Sequence, residues 1–175
     1  FDCDFCQYPL YSHQPNVDPE TGFKLVFTGG AIKSLDDFDE LAVVTGCFGS
    51  AKVCIDHLKN VARLSARYGF RGKLMYMGVE LRQRDEIEDL MNVIHEEGLS
   101  GLRLVFTIEF FENRSQFMRG PKGTFDLDDA INYLQELSEC DLASLEYSYI
   151  PGFDNLAAFY DGAKRLRSIA LPHLC

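Results

Sequence analysis

Two cysteines close to the start of the chain have the spacing of a metal or redox site. Cys3 and Cys6 are separated by two residues, so both thiolates can reach one metal centre from a single turn of loop. A zinc site needs a second ligand pair with similar spacing, which Cys47, Cys54 and the four scattered histidines do not supply. A thioredoxin-like pair normally opens a helix, and Pro9 makes the turn after Cys6 a poor helix start. Two cysteines buried for unrelated reasons remain the structural alternative.

The composition excludes several classes of function. A formal charge of −10 argues against a nucleic-acid surface, and no apolar run reaches the roughly 20 residues that span a bilayer. The basic cluster Lys164, Arg165 and Arg167 alternates with apolar residues, which is typical of one solvated helix face. With 46% hydrophobic residues and no signal-peptide pattern, the chain is predicted to be a cytoplasmic globular protein without membrane or nucleic-acid partners. Six cysteines in so large a chain do not indicate a secreted disulfide framework.

Apolar periodicity predicts alternating strands and helices after an irregular opening. Strands are expected at 40–45, 73–79, 102–110 and 142–150, and a further one begins near 170. Helices are expected at 51–68, 84–97, 126–138 and 154–168, the last capped by Asp154. Residues 7–39 contain several prolines and glycines that argue against a helix, and 23–30 is predicted to be an extra strand or hairpin arm.

Strand–helix alternation implies βαβ units and a parallel sheet, hence the α/β class. Right-handed crossovers leave two main outcomes, a doubly wound sheet or a (β/α) barrel. The chain starts at Phe1 rather than at Met and stops in an apolar run at Cys175, which favours a piece of a longer reading frame. We therefore predict one incomplete domain over 1–175, a partial (β/α) TIM-type barrel with parallel strands that lacks its first and last strands.

The cysteine pair resembles the cluster loop of the radical S-adenosylmethionine superfamily, Cys-x-x-x-Cys-x-aromatic-Cys. Cys3, Phe5 and Cys6 match its second half, and the first cysteine would lie two residues before Phe1. The resemblance implies that three cysteines hold a 4Fe–4S cluster whose open iron chelates S-adenosylmethionine. It also implies that Phe5 packs near the adenine of that cofactor.

In that superfamily a glycine-rich motif after the second strand meets the methionine part of the cofactor. Two segments resemble it, Thr28-Gly29-Gly30 and Thr45-Gly46-Cys47. The second directly precedes the helix predicted at 51–68, the place of a βα turn, and is favoured. Neither segment has the glutamate that is common after the two glycines.

Two later strand ends also resemble superfamily motifs. Glu109 is similar to the glutamate that contacts the cofactor in the biotin-synthase-like and aromatic amino-acid-lyase branches, with Arg114 as the basic residue that follows. Ile150 and Gly152 are similar to the fifth-strand segment whose backbone lies along the adenine, and the structural alternative is an ordinary Pro-Gly turn before a helix. In parallel barrels the working residues lie at the carboxyl ends of strands, where Glu80 also falls.

The resemblance implies reductive cleavage of S-adenosylmethionine to a 5′-deoxyadenosyl radical that abstracts hydrogen from a small organic substrate. A flavodoxin or ferredoxin would supply the electron, and no particular catalytic residue is indicated. With one cluster cysteine missing, the segment by itself is expected to bind the cluster weakly and to be inactive. The alternatives are a zinc- or thiol-binding α/β module that uses Cys3 and Cys6, an iron-free aldolase-like barrel, and a protein-interaction fragment with an acidic surface.

Overall fold

The protein is an α/β structure built on a five-stranded, all-parallel sheet. The computed structural model describes residues 18–30, 32–44, 50–78, 81, 84–118, 123, 126–138 and 144–174. Its strands are β1 Glu40–Val44, β2 Lys73–Gly78, β3 Gly101–Glu109, β4 Ser144–Tyr149 and β5 Leu171–Leu174. Its helices are α1 Pro19–Thr28, α2 Ala51–Arg67, α3 Arg84–Glu96, α4 Arg114–Phe117, α5 Leu127–Ser138 and α6 Leu156–Leu166. From β1 onward, the expected strands and helices are confirmed, apart from a residue or two at their ends.

The strands follow one another across the sheet in chain order, β1-β2-β3-β4-β5. A doubly wound sheet reverses its strand order at a switch point, and the five described strands contain no reversal. Right-handed crossovers that all step in the same direction place their helices on the same face of the sheet. The architecture is therefore compatible with part of a (β/α) fold in which successive strand ends are spatial neighbours.

One face of the sheet packs against the helices and forms the core. Strand side chains at alternate positions contribute to it because successive residues of a strand point to opposite faces. Helix residues that are completely buried complete it. The strand members include Leu74, Tyr76, Leu102, Leu104, Leu145 and Tyr147, and the helix members include Leu58, Leu90, Ile94 and Leu134.

The opposite face carries an ion-pair network centred on Arg103 in β3. Its guanidinium donates to Glu40 in β1 at 3.0 Å and pairs with Glu146 in β4 at 3.5 Å. The same group lies 3.0 Å from the sulfur of Met75 in β2. Because β2 lies between β1 and β3, this one side chain connects four neighbouring strands.

Arg103→Met is expected to lower the free energy of unfolding by about 1–3 kcal/mol, since it leaves two partly buried carboxylates without their cation. The side chains of Arg103, Glu40 and Glu146 are 26%, 31% and 14% exposed. Urea unfolding measures the change. The matched control is Arg84→Met, which removes a pair with Glu88 that is 60% and 57% exposed and should cost at most about 0.5 kcal/mol. Equal effects of the two substitutions would show that the network stabilises the fold no more than an exposed ion pair does.

The prediction of a strand or hairpin arm at 23–30 is wrong, because residues 23–28 lie in helix α1 and Gly29 is its C-cap. Asp18 caps the helix by accepting a hydrogen bond from the Thr21 N–H at 3.0 Å. Pro19 occupies the start of the helix, where a missing N–H costs nothing and a fixed φ is favourable. The proline that argued against a helix therefore marks where one begins.

Helix α1 is held to the rest of the structure by aromatic stacking. Phe23 and Phe27 are four residues apart and so lie on one side of the helix. Their rings stack on Tyr68, at the end of α2, with centroid distances of 5.5 and 4.2 Å. The four-residue spacing of the two phenylalanines is therefore that of a helix, although the apolar residues around them are also compatible with a strand.

Candidate functional site

The carboxyl ends of the strands form the edge at which a site is expected, since all five run in the same direction. We call this the carboxyl edge. It is defined by the last strand residues Val44, Gly78, Glu109, Tyr149 and Leu174. Of the residues predicted to bind a cofactor, Glu109, Arg114, Ile150 and Gly152 all lie at or directly after this edge.

Glu109 has an unusual backbone conformation at the end of β3. Phe106 pairs with Tyr147 and Glu109 pairs with Tyr149, so β3 advances three residues while β4 advances two. The extra residue is a bulge, and Glu109 has φ of +67°, in the left-handed region that non-glycine residues seldom adopt. Such a conformation costs about 1–3 kcal/mol and is found mainly where a side chain must be aimed. Glu109 is nevertheless 7% exposed, so its carboxylate is held within the edge rather than in solvent.

The backbone on both sides of Glu109 is held by hydrogen bonds. The N–H of Ile150 donates to the Glu109 carbonyl at 2.7 Å, which extends the β3–β4 pairing by one bond. The buried guanidinium of Arg114 donates to the carbonyl of Phe110 at 2.8 Å and to that of Ile108. Arg114 therefore holds the backbone on both sides of Glu109. Its position in the sequence did not indicate this role.

A carboxylate from the turn after β4 holds the turn after β3. The N–H groups of Phe111 and Glu112 donate to the two oxygens of Asp154 at 2.8 and 2.9 Å. The prediction that Asp154 caps the last helix is wrong, because Asn155 caps α6 by accepting from the Ala158 N–H at 3.0 Å. The shift by one residue frees Asp154 to bond across to the neighbouring turn.

Aromatic rings join the same two turns. Phe153 stacks on Phe110 at a centroid distance of 4.8 Å and meets Phe117 edge-on at 5.2 Å. Between Ile150 and Phe153 the chain turns through Gly152, whose φ of +100° favours glycine. A Cβ at Gly152 would have no atom within 4 Å, so the backbone of this turn borders open space.

Two tyrosines line β4 below this turn, and both are uncharged at neutral pH. Burial raises the pKa of Tyr149, and the nearby Asp154 carboxylate raises it further. Burial also raises the pKa of Tyr147. Each phenol can donate a hydrogen bond, but neither is suited to act as a base at neutral pH.

Two hydroxyl groups stabilise the strands just before the edge. Thr107 donates to the Gly78 carbonyl at 2.9 Å, and Ser148 donates to the Phe106 carbonyl at 3.2 Å. Both side chains are buried and lie on the face opposite to the core. Because both residues alternate with apolar residues, their place on this face could have been predicted from the sequence. No local pattern in the sequence indicated the contacts of Asp154.

Gly29 and Gly30 do not occupy a strand end. They terminate helix α1, where Gly29 is the C-cap and Gly30 has φ of +71°. Their assignment to the cofactor required a place at the end of a strand, and the structure places them at the end of a helix instead. The alternative, Thr45-Gly46-Cys47, follows directly after Val44 in the chain.

Several predicted site residues lie outside the described part of the structure. These are Cys3, Phe5, Cys6, Thr45, Gly46, Cys47 and Glu80. Among the residues that are described, no three His, Cys, Asp or Glu side chains are grouped to hold a metal ion. The cysteine metal site stays a prediction.

Within the described ranges, every helix is too short or too polar to span a bilayer.

A cavity of about 610 Å³ lies at the other end of the sheet, around the first residues of the strands. It is lined by charges of both signs, including Glu40, Arg71, Lys73, Arg103 and Glu146. The amino ends of parallel barrel strands generally serve stability rather than chemistry. The Arg103 ion-pair network lines this cavity, and we assign the cavity a structural role.

Neither a family model nor a curated protein matches this chain. The function of the chain is therefore inferred from its residues and their arrangement. The arrangement consists of a buried carboxylate in a strained conformation and a glycine turn beside open space. They come from adjacent strands and are joined by direct hydrogen bonds.

Proposed function

We propose that the chain is part of a radical S-adenosylmethionine enzyme built on a partial (β/α) barrel. Cys3 and Cys6, with a third cysteine upstream, would bind a 4Fe–4S cluster beside the carboxyl edge. The cluster and the cofactor would together supply one-electron reductive cleavage of the sulfonium. The electron would come from a flavodoxin or ferredoxin, and hydrogen would be taken from a small organic substrate.

The observation that carries the proposal is the meeting of two predicted cofactor segments at one edge. Glu109 and Ile150 are 41 positions apart in the sequence, yet the Ile150 N–H bonds the Glu109 carbonyl at 2.7 Å. The strand order explains this meeting, because motifs that follow one another in the chain become neighbours in space. The resemblance requires the same relation between them.

The described residues fit a nucleoside ligand with a charged amino-acid tail. The Glu109 carboxylate is an acceptor for hydroxyl or ammonium groups, and its burial strengthens each such hydrogen bond. The turn at Gly152 has no side chain and borders open space, so a flat base can approach its backbone. The neutral ring of Phe153 beside that turn adds apolar surface without charge.

The first experiment measures cofactor cleavage by the full-length protein after anaerobic reconstitution with iron and sulfide. With dithionite as reductant, we expect 5′-deoxyadenosine and methionine to form from S-adenosylmethionine, detected by chromatography. Purified protein that contains zinc instead of iron, and no visible absorption from a cluster, would support the zinc- or thiol-binding alternative and contradict the proposal.

Glu109→Gln is expected to raise the dissociation constant of S-adenosylmethionine about 10-fold or more, measured by equilibrium dialysis on cluster-loaded protein. A hydrogen bond to a charged acceptor contributes about 1.5–3 kcal/mol, and the amide keeps the size of the side chain while removing its charge. Glu96→Gln is the control, since it neutralises an exposed carboxylate at the end of α3. Equal affinities for the two variants would rule out Glu109 as a cofactor contact.

A further inference from the structure

The carboxylate of Asp154, in the turn after β4, bonds to the turn after β3. Both oxygens of Asp154 accept backbone N–H groups, from Phe111 and Glu112. The bond from the Phe111 N–H is partly buried, and losing it costs about 1–3 kcal/mol, whereas the bond from the Glu112 N–H is exposed and its loss costs less. Neither turn can therefore move away from the other without a substantial loss of free energy.

Three further contacts connect the same turns on either side of Asp154. The Ile150 N–H bonds the Glu109 carbonyl, the Asn155 amide donates to the Glu112 carboxylate at 3.1 Å, and the rings of Phe110 and Phe153 stack. All of them lie within a few residues of Glu109 or Gly152. These contacts join the two turns directly, and Asp154 is the residue that makes two of the hydrogen bonds.

The strained backbone of Glu109 explains why such a clamp is useful. A residue at φ of +67° relaxes to a more common conformation unless its surroundings hold it. Arg114 holds it from within its own turn, through the carbonyls of Ile108 and Phe110. Asp154 holds the following residues from the neighbouring turn. Removing either support should weaken the restraint on the backbone at Glu109.

We infer that Asp154 is a positioning residue that couples the turns after β3 and β4, so that Glu109 and the Ile150–Gly152 segment meet one ligand at a fixed separation. The identity of that ligand, the nucleoside and amino-acid parts of S-adenosylmethionine, rests on the proposed function. The coupling of the two turns rests on the contacts alone.

Native-state hydrogen exchange on the full-length wild-type protein tests the coupling without any cofactor. If the turns open together, the amides of Phe111, Glu112 and Ile150 exchange with one common opening free energy. An Ile150 amide that opens independently of the other two would overturn the inference, and this measurement requires no variant to fold.

Asp154→Asn tests the positioning role. The amide has the same shape but one acceptor oxygen, so one of the two backbone N–H groups loses its partner. We expect exchange at Ile150 to accelerate at least about fivefold and the dissociation constant of S-adenosylmethionine to rise about fivefold or more. Asp161→Asn, which removes an exposed carboxylate in α6, should change each quantity less than about twofold.

A double variant separates positioning from direct contact. If Asp154 acts through Glu109, then Asp154→Asn adds little to the loss of affinity caused by Glu109→Gln. Additive losses would overturn the inference, as would faster exchange with unchanged affinity. Wild-type protein that loads a cluster but does not bind S-adenosylmethionine contradicts the proposed function instead, and the exchange at Ile150 then still decides whether the turns are coupled.

Discussion

Cys3→Ser and Cys6→Ser should each reduce the iron content of the reconstituted full-length protein from about four atoms per chain to background. The proposed cluster would lose one of its three thiolate ligands with either substitution, and serine is a much poorer ligand for iron. We expect the visible absorption of the cluster and the cleavage of S-adenosylmethionine to disappear together. Iron and sulfide assays after anaerobic reconstitution measure the loss.

The matched control is Cys54→Ala, which removes a thiol that is not expected to bind metal. Cys54 lies in α2 and is 2% exposed, and burial raises the pKa of its thiol, so it stays protonated and apolar. This variant should keep its full iron content. Retention of iron by Cys3→Ser, or an equal loss in Cys54→Ala, would exclude the cysteine pair as cluster ligands.

Gly72→Ala should lower the free energy of unfolding by about 3 kcal/mol, because the added methyl group has no room. A Cβ at this position would lie 2.8 Å from the Phe38 carbonyl oxygen and closer still to that of Asp39. Both obstacles are backbone atoms, so no side-chain rotation relieves the clash. The Lys73 N–H bonds the Asp39 carbonyl at 2.8 Å, and the start of the β1–β2 pairing would be displaced.

Gly29→Ala provides the comparison for this effect, as the same methyl group is added where there is room. Gly29 has φ of −70°, and its nearest contact for a Cβ is 3.7 Å. The free energy of unfolding of the Gly29→Ala variant should differ from that of the wild type by less than about 0.5 kcal/mol. Denaturant unfolding of both variants gives the difference. Equal stabilities of the two variants would mean that the segment before β1 moves aside without a cost in free energy.

Most helices and strands could be predicted because their signals are local. The apolar stripe that includes Leu58 repeats at helical spacing, and β2 and β3 are apolar runs bounded by glycine or polar residues. The failure at α1 has an equally local cause. Pro19 stops a helix in its interior but favours its first turn, and only the cap from Asp18 distinguishes the two.

The placement of the candidate site residues could be predicted in part. Glu109 and Gly152 were expected at strand ends because they follow apolar runs, and the ends of parallel strands share one edge. The contacts of Asp154 and Arg114 were missed, since a side chain's partner across a turn leaves no periodic trace in the sequence. A one-residue shift of the helix cap to Asn155 was enough to change what Asp154 does.

The sequence by itself determined the α/β class, the parallel direction of the strands and the residues that end them. These follow from periodicity and from the rule that strand–helix–strand units form parallel sheets. Only the tertiary structure decided the strand order, the bulge that gives Glu109 a positive φ, and the clamp between the turns after β3 and β4. Each depends on contacts between residues distant in the chain, whose free energies are set by three-dimensional packing rather than by neighbouring residues.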